Sequence, residues 1–143
     1  MSQSFELYFK SIAGSWLLER EISTGETFHG KAVFEHISKS AFLMREEGQL
    51  VLSDKKEISA SRNWYWHLSD ENTLEITYDE AALQNYHLLS LDKFKAGWCG
   101  TAKHLCGSDL YSGEYKFYEK RLEITQTIKG PKKSYVVSSI YLK

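Results

Sequence analysis

The chain has 143 residues, 42% of them apolar, which is the size and composition of one domain able to bury its own core without disulfide or metal support. Eighteen Lys and Arg against nineteen Asp and Glu leave a formal charge of −1, so the overall balance carries no sign of a nucleic-acid backbone or an anionic membrane as partner. No window approaches the eighteen or more continuous apolar residues of a membrane helix, which argues against insertion.

The opening MSQSFELYFKSIAG shows neither a basic leader nor a cleavage-site pattern. The two cysteines, Cys99 and Cys106, have neither the spacing of a redox pair nor that of a zinc site. Free thiols in a reducing, cytoplasmic setting are expected. From Ser4 to Ala13, Phe5, Tyr8, Phe9 and Ile12 recur at helical spacing, with Ser4 as the capping residue of a short helix. A helix of that length does not stand alone, so its apolar stripe is expected to close one end of the fold.

After Gly14 the period changes to two. Trp16, Leu18, Arg20 and Ile22 share one face; Phe28, Gly30, Ala32, Phe34 and His36 share the next. Phe42, Met44, Glu46 and Gly48 oppose Leu43, Arg45, Glu47 and Gln49. Ile58, Ala60, Arg62, Trp64, Trp66 and Leu68 form a longer row, and Leu74, Ile76 and Tyr78 follow a turn at 70–72. QNYHLLSL, 96–106, 109–118, LEITQTI and SYVVSSIYL complete about ten predicted strands. Their links are too short for parallel crossovers, so the sheet is antiparallel. Closure would remove the edges that so many short strands leave. The expectation is an all-β, closed or nearly closed antiparallel barrel over residues 1–143, rich in aromatic residues and with one short N-terminal helix.

GSW at 14–16, FHGKAVF at 28–34, EGQL at 47–50, RNWYW at 62–66, HLCGSDLYSGEYKF at 104–117 and GPKKSY at 130–135 resemble a family of small proteins known only as a domain of unknown function. The likeness runs from Gly14 to Lys143. It implies a calycin-type barrel similar in architecture to lipocalins and fatty-acid-binding proteins. The family pattern His-x-Cys-x-x-Asp-x-Tyr-x-Gly matches His104, Cys106, Asp109, Tyr111 and Gly113. Its Gly-Pro-x-Lys-x-Tyr pattern matches Gly130, Pro131, Lys133 and Tyr135. Where relatives end in Tyr-x-Arg this chain has Tyr141-Leu142-Lys143, which keeps the charge and loses the planar guanidinium.

Barrels of about eight or more strands can hold a small ligand in place of a solid core. The expected partner is therefore a small apolar or amphipathic molecule, partly aromatic or aliphatic and with an anionic group as an option, bound by a monomer or a homodimer. Arg20, Arg45, Trp66, His104, Tyr111, Lys133 and Tyr135 are the candidate ligand-binding residues. Arg20 stands between Leu18 and Ile22 on an apolar face, where an unpaired guanidinium is costly, so it calls for Glu46 across the barrel or a bound carboxylate.

The rival reading is an isomerase, lyase or hydrolase on the same barrel. In it His104 is the general base and Asp109 orients its ring, with Cys106 as an available nucleophile. Against it stands a local role, in which Asp109 caps a turn and Cys106 packs as a small hydrophobe. A filled scaffold is the third option. The five histidines form no HxH or HExxH pattern, so no metal site and no cofactor are predicted, with haem on a single cavity histidine the minor alternative.

Overall fold

The computed structural model describes residues 4–78 and 86–143. The helix α1 (Phe5–Lys10) is followed by β1 (Gly14–Ile22), β2 (Thr27–Ser38), β3 (Ala41–Val51), β4 (Glu57–Asp70), β5 (Thr73–Tyr78) and β6 (Tyr86–Ser90). Then come β7 (Asp92–Phe94), β8 (Gly97–Cys106), β9 (Asp109–Phe117), β10 (Arg121–Lys129) and β11 (Ser134–Leu142). All pair antiparallel in one sheet of order β6-β5-β4-β3-β2-β1-β11-β10-β9-β8-β7. The first and last long strands are thus neighbours, with Leu18 opposite Tyr141. β6 packs beside β8 without a hydrogen-bonded ladder, which makes the barrel nearly closed.

Among the described residues eleven strands stand where about ten are expected. The extra one, β7, is only three residues long and pairs with the start of β8, too short to show a period of its own. Parts of two predicted strands, Asp79 in TLEITYD and Gln84-Asn85 in QNYHLLSL, lie outside the described residues.

The alternation places the interior as expected over the strand centres. Trp16, Leu18, Ala32, Phe34, Phe42, Met44, Glu46, Trp64, Trp66, Leu68, Leu74 and Ile76 are all buried. The pattern fails at strand ends. His36 is exposed just before a register shift against β3, and Ile58 is exposed near the start of β4.

The helix plugs one end. Ring centroids of Phe5 lie 5.1 Å from Phe117 and 5.8 Å from Trp98, and Phe9 lies 4.7 Å from Phe42. Burying each such ring stabilises by roughly 1.5–3 kcal/mol. The capping expectation needs correction: the Ser4 side chain makes no cap hydrogen bond. Asn72 Oδ1 instead accepts from the Phe5 amide at 3.0 Å and the Glu71 carbonyl accepts from the Glu6 amide at 3.1 Å. The turn between β4 and β5 thus satisfies the free amides of the helix N-terminus. The helix also stops at Lys10 and not Ala13. Beyond it the Ile12 carbonyl accepts from Trp16 Nε1 at 2.8 Å, and Lys143 Nζ donates to the carbonyls of Ser11 and Ala13 at 2.9 and 2.7 Å. The terminal lysine therefore fastens the chain leaving the helix.

Candidate ligand-binding site

Because successive strands run in opposite directions, the helix end holds the starts of β1, β3, β5, β8 and β10. The far end holds their ends and the starts of β2, β4, β9 and β11. A cavity of about 800 Å³ occupies this far half. Phe28, Met44, Trp64, Ile76, Ile124 and Ile128 supply apolar wall, and two polar groups of side chains face the space. Its volume is within the range of small-molecule sites, roughly 300–1,000 Å³.

The first polar group joins β1, β3, β4 and β11. Arg20 Nη1 and Nη2 donate to Glu46 Oε1 and Oε2 at 3.1 and 2.8 Å, and Arg20 Nε donates to Ser139 Oγ at 2.7 Å. Arg20 Nη2 also donates to the Tyr141 hydroxyl, which donates to Glu46 Oε2 at 2.6 Å; Trp64 Nε1 donates to Oε1 at 3.3 Å. Glu46 is 2% exposed. Burial alone would raise its carboxyl, but the charge of Arg20 and the hydrogen bonds from Arg20, Tyr141 and Trp64 outweigh it and hold the group below the ordinary glutamate value. For Arg20 burial works against the charge, and the Glu46 carboxylate together with the hydrogen bonds to Glu46 and Tyr141 more than restores it. Burial, then the charge of Glu46, keeps the Tyr141 phenol protonated. The pair is ionised and its members satisfy one another.

The second group joins β6, β8 and β9. His87 Nδ1 lies 2.6 Å from the Tyr115 hydroxyl. Burial, followed by the neighbouring His104, pushes the His87 imidazole down to about 4, so it is neutral near pH 7. A phenol is a good donor and a neutral imidazole nitrogen a good acceptor, which assigns the His87 proton to Nε2. Gly113 makes this arrangement fit: a Cβ there would lie 3.0 Å from His87 Cε1 and 2.9 Å from Tyr115 Cε1. His104 is opposite Tyr111 in the β8–β9 ladder, their ring centroids 6.4 Å apart, and both line the cavity.

The predicted site residues divide. Arg20, Trp66, His104, Tyr111 and Tyr135 line the cavity. Arg45 does not; it is exposed on the outer face between inward Met44 and Glu46, as strand alternation requires. Lys133 is also outside, half exposed, with Nζ 3.9 Å from Asp109 Oδ2. Asp109 Oδ1 lies so close to Gly130 that a Cβ there would be 1.8 Å away. Both carboxylate oxygens are thus turned to the 130–133 turn, where the Gly130 amide donates to the Lys133 carbonyl at 2.7 Å. The expected part of Asp109 behind His104 gives way to this lock between the two late motifs. Cys106 is exposed at the two-residue hairpin turn, where Gly107 adopts φ 64°, a conformation that favours glycine.

Sequence reasoning passed over His87, Tyr115, Ser139 and Tyr141 as site residues. The signal for His87 was its inward parity with Leu89, which is fully buried. Trp66 Nε1 is buried and has no hydrogen-bond acceptor among the described residues. Among those residues no group of three or more His, Cys, Asp or Glu is placed to hold a metal ion.

A family model described as a family of unknown function, DUF6314, matches residues 12–143. The chain is a member of the DUF6314 family. No protein of curated function matches it in sequence. In three dimensions the DUF6314 barrel is similar to Rv2717c from M. tuberculosis, with a TM-score of 0.70 at 11% identity, covering 96% of this chain and 95% of that one. It is similar to the S-type phycobiliprotein lyase CPES from Guillardia theta, with a TM-score of 0.67 at 11% identity over 99% and 93% of the two chains. A third likeness is to EF1p2_mFAP2b bound to DFHBI, with a TM-score of 0.57 at 14% identity over 98% and 99%. At these identities the likeness concerns the barrel fold.

Proposed function

We propose that this DUF6314 protein binds a small, partly apolar molecule inside its barrel, in contact with Trp66, His104, Tyr111 and Tyr135. The observation that carries the reading is the cavity of about 800 Å³, which sits beside a buried aromatic core and is lined by apolar walls with converging polar groups. A barrel of the same fold bound to DFHBI, and another named as a lyase of phycobiliproteins, support it, although a shared fold does not by itself carry function. Catalysis by His104 is less well supported, because the carboxylate meant to orient it is turned toward Gly130 and Lys133.

The test is native mass spectrometry of protein purified without refolding, with organic extraction of anything bound, followed by titration with the neutral dye Nile red. A stoichiometric small molecule, or saturable dye binding weakened at least about tenfold by the cavity-filling Ala60→Phe, is the expected result. A haem would announce itself as a Soret band in the same preparation. A clean apo mass together with dye binding that ignores Ala60→Phe would overturn the reading.

A further inference from the structure

We propose that Glu46 determines the specificity of the cavity: it fills the guanidinium fork of Arg20 as an internal carboxylate, so that the barrel accepts neutral molecules carrying a hydrogen-bond acceptor and refuses carboxylates. The inference rests on the ligand-binding reading and names the chemical class that the same site takes.

An arginine facing the interior of a ligand-holding barrel is suited to a carboxylate, because its planar donors match the two oxygens. Here that match is already used. Glu46 takes one donor from each terminal nitrogen, Ser139 takes Nε, and Tyr141 closes the loop between Nη2 and Oε2. Arg20 is the one largely buried guanidinium among the described residues. A ligand carboxylate entering its fork would have to expel Glu46, which is 2% exposed and also accepts from Trp64. The expelled group would be a buried anion without a partner. An acid bound elsewhere in the cavity would find His87 neutral. The other guanidinium that lines the cavity, Arg62, belongs to an exposed residue and lies over the Trp64 ring, where solvent weakens its hold on an anion.

The complementary half of the argument is Trp66. Its ring is 1% exposed and lines the cavity, and its Nε1–H meets no acceptor among the described residues. A buried donor of this kind is relieved by a ligand carbonyl, ether or amide oxygen. Trp66 is in register with Ile76, and Ile76 with His87, so the indole and the neutral imidazole stand in one row across β4, β5 and β6. That row offers hydrogen bonds without net charge.

The experiment compares 11-(dansylamino)undecanoic acid with its primary amide by fluorescence titration at pH 7.5. The wild-type barrel is expected to bind the amide at least about tenfold more tightly than the acid. Glu46→Gln leaves Arg20 charged and without its anion, and is expected to raise acid affinity at least about tenfold. Glu46→Asp keeps the charge and is expected to keep the wild-type order. Trp66→Phe is expected to weaken the amide about fivefold. Near-ultraviolet circular dichroism checks that each variant is folded; should Glu46→Gln not fold, the wild-type ratio decides by itself. Equal wild-type affinity for acid and amide, or a ratio unmoved in folded Glu46→Gln, overturns the role of Glu46 while the binding site survives. Failure of the wild type to bind either compound removes the ligand-binding reading and this inference together.

Discussion

The two ends of the barrel are built from the same strands and differ in what their inward positions carry. At the helix end the inward residues are large and apolar: Phe5, Phe9, Phe42, Trp98, Phe117 and Leu122 are all buried, and their rings meet edge to face or tilted. At the far end the inward positions include Ala60, Gln126, Ser139 and Glu46, and space is left over. A helix supplies the missing volume at one end. At the other, polar side chains prop against one another across a cavity. One end is therefore where stability is concentrated, and the other is where binding chemistry can occur.

Truncation should separate them most sharply. Phe117→Ala at the packed end is expected to cost about 3–5 kcal/mol, because the void it leaves is enclosed by rings on several sides. Ile128→Ala, beside a cavity that already exists, should cost less than half as much, since fewer neighbours lose contact. Urea denaturation of the two variants measures the contrast. Equal losses would mean that the far end is as tightly filled as the near one.

The next largest effect is in pH. The folded His87 lies at about 4 against an ordinary 6.5, so between those values the unfolded chain binds a proton that the folded one does not. Its contribution is complete above pH 6.5 and is lost as pH falls toward 4, a change of about 3 kcal/mol. His87→Phe should flatten stability in that window, read from midpoints of chemical denaturation at several pH values. Glu46, also held below its ordinary value, loses its contribution as pH falls below the usual glutamate range. The flattening should therefore end there and the acid limb remain. A His87→Phe profile identical to wild type between pH 4 and 6.5 would contradict the assignment.

The smallest effect concerns the plug. Asn72→Ala removes the side-chain acceptor of the Phe5 amide and should cost about 1 kcal/mol. It should leave Nile red binding at the far end unchanged. Ser4→Ala should cost close to nothing, since its hydroxyl caps no amide. The opposite ranking would restore Ser4 as the cap.

The late motif residues show how far the site was legible. His104 and Tyr111 were named as ligand-binding candidates from the late motif, and the ladder puts them opposite one another lining the cavity. Asp109 and Lys133, equally prominent as residues, belong to a turn lock, because the chain brings Gly130 against the Asp109 carboxylate. The same alternation that put Glu46 inside already set Arg45 on the opposite face, so its ligand role conflicted with the pattern. His87 shared its inward parity with Leu89, but its role waited on its partner Tyr115 on another strand.

Alternation, turn chemistry and short links determined by themselves an antiparallel barrel, most of its inward residues, and the need of Arg20 for a carboxylate, with Glu46 and a bound ligand both open as its source. These are consequences of backbone geometry that repeats every two residues, together with the cost of an unpaired buried charge. Tertiary structure alone decided which end the helix fills, that Asn72 caps it, that His87 meets Tyr115 beside a bare Gly113, and that a cavity remains. Each of those depends on register between strands distant in sequence and on the volume left after packing, which no local pattern encodes.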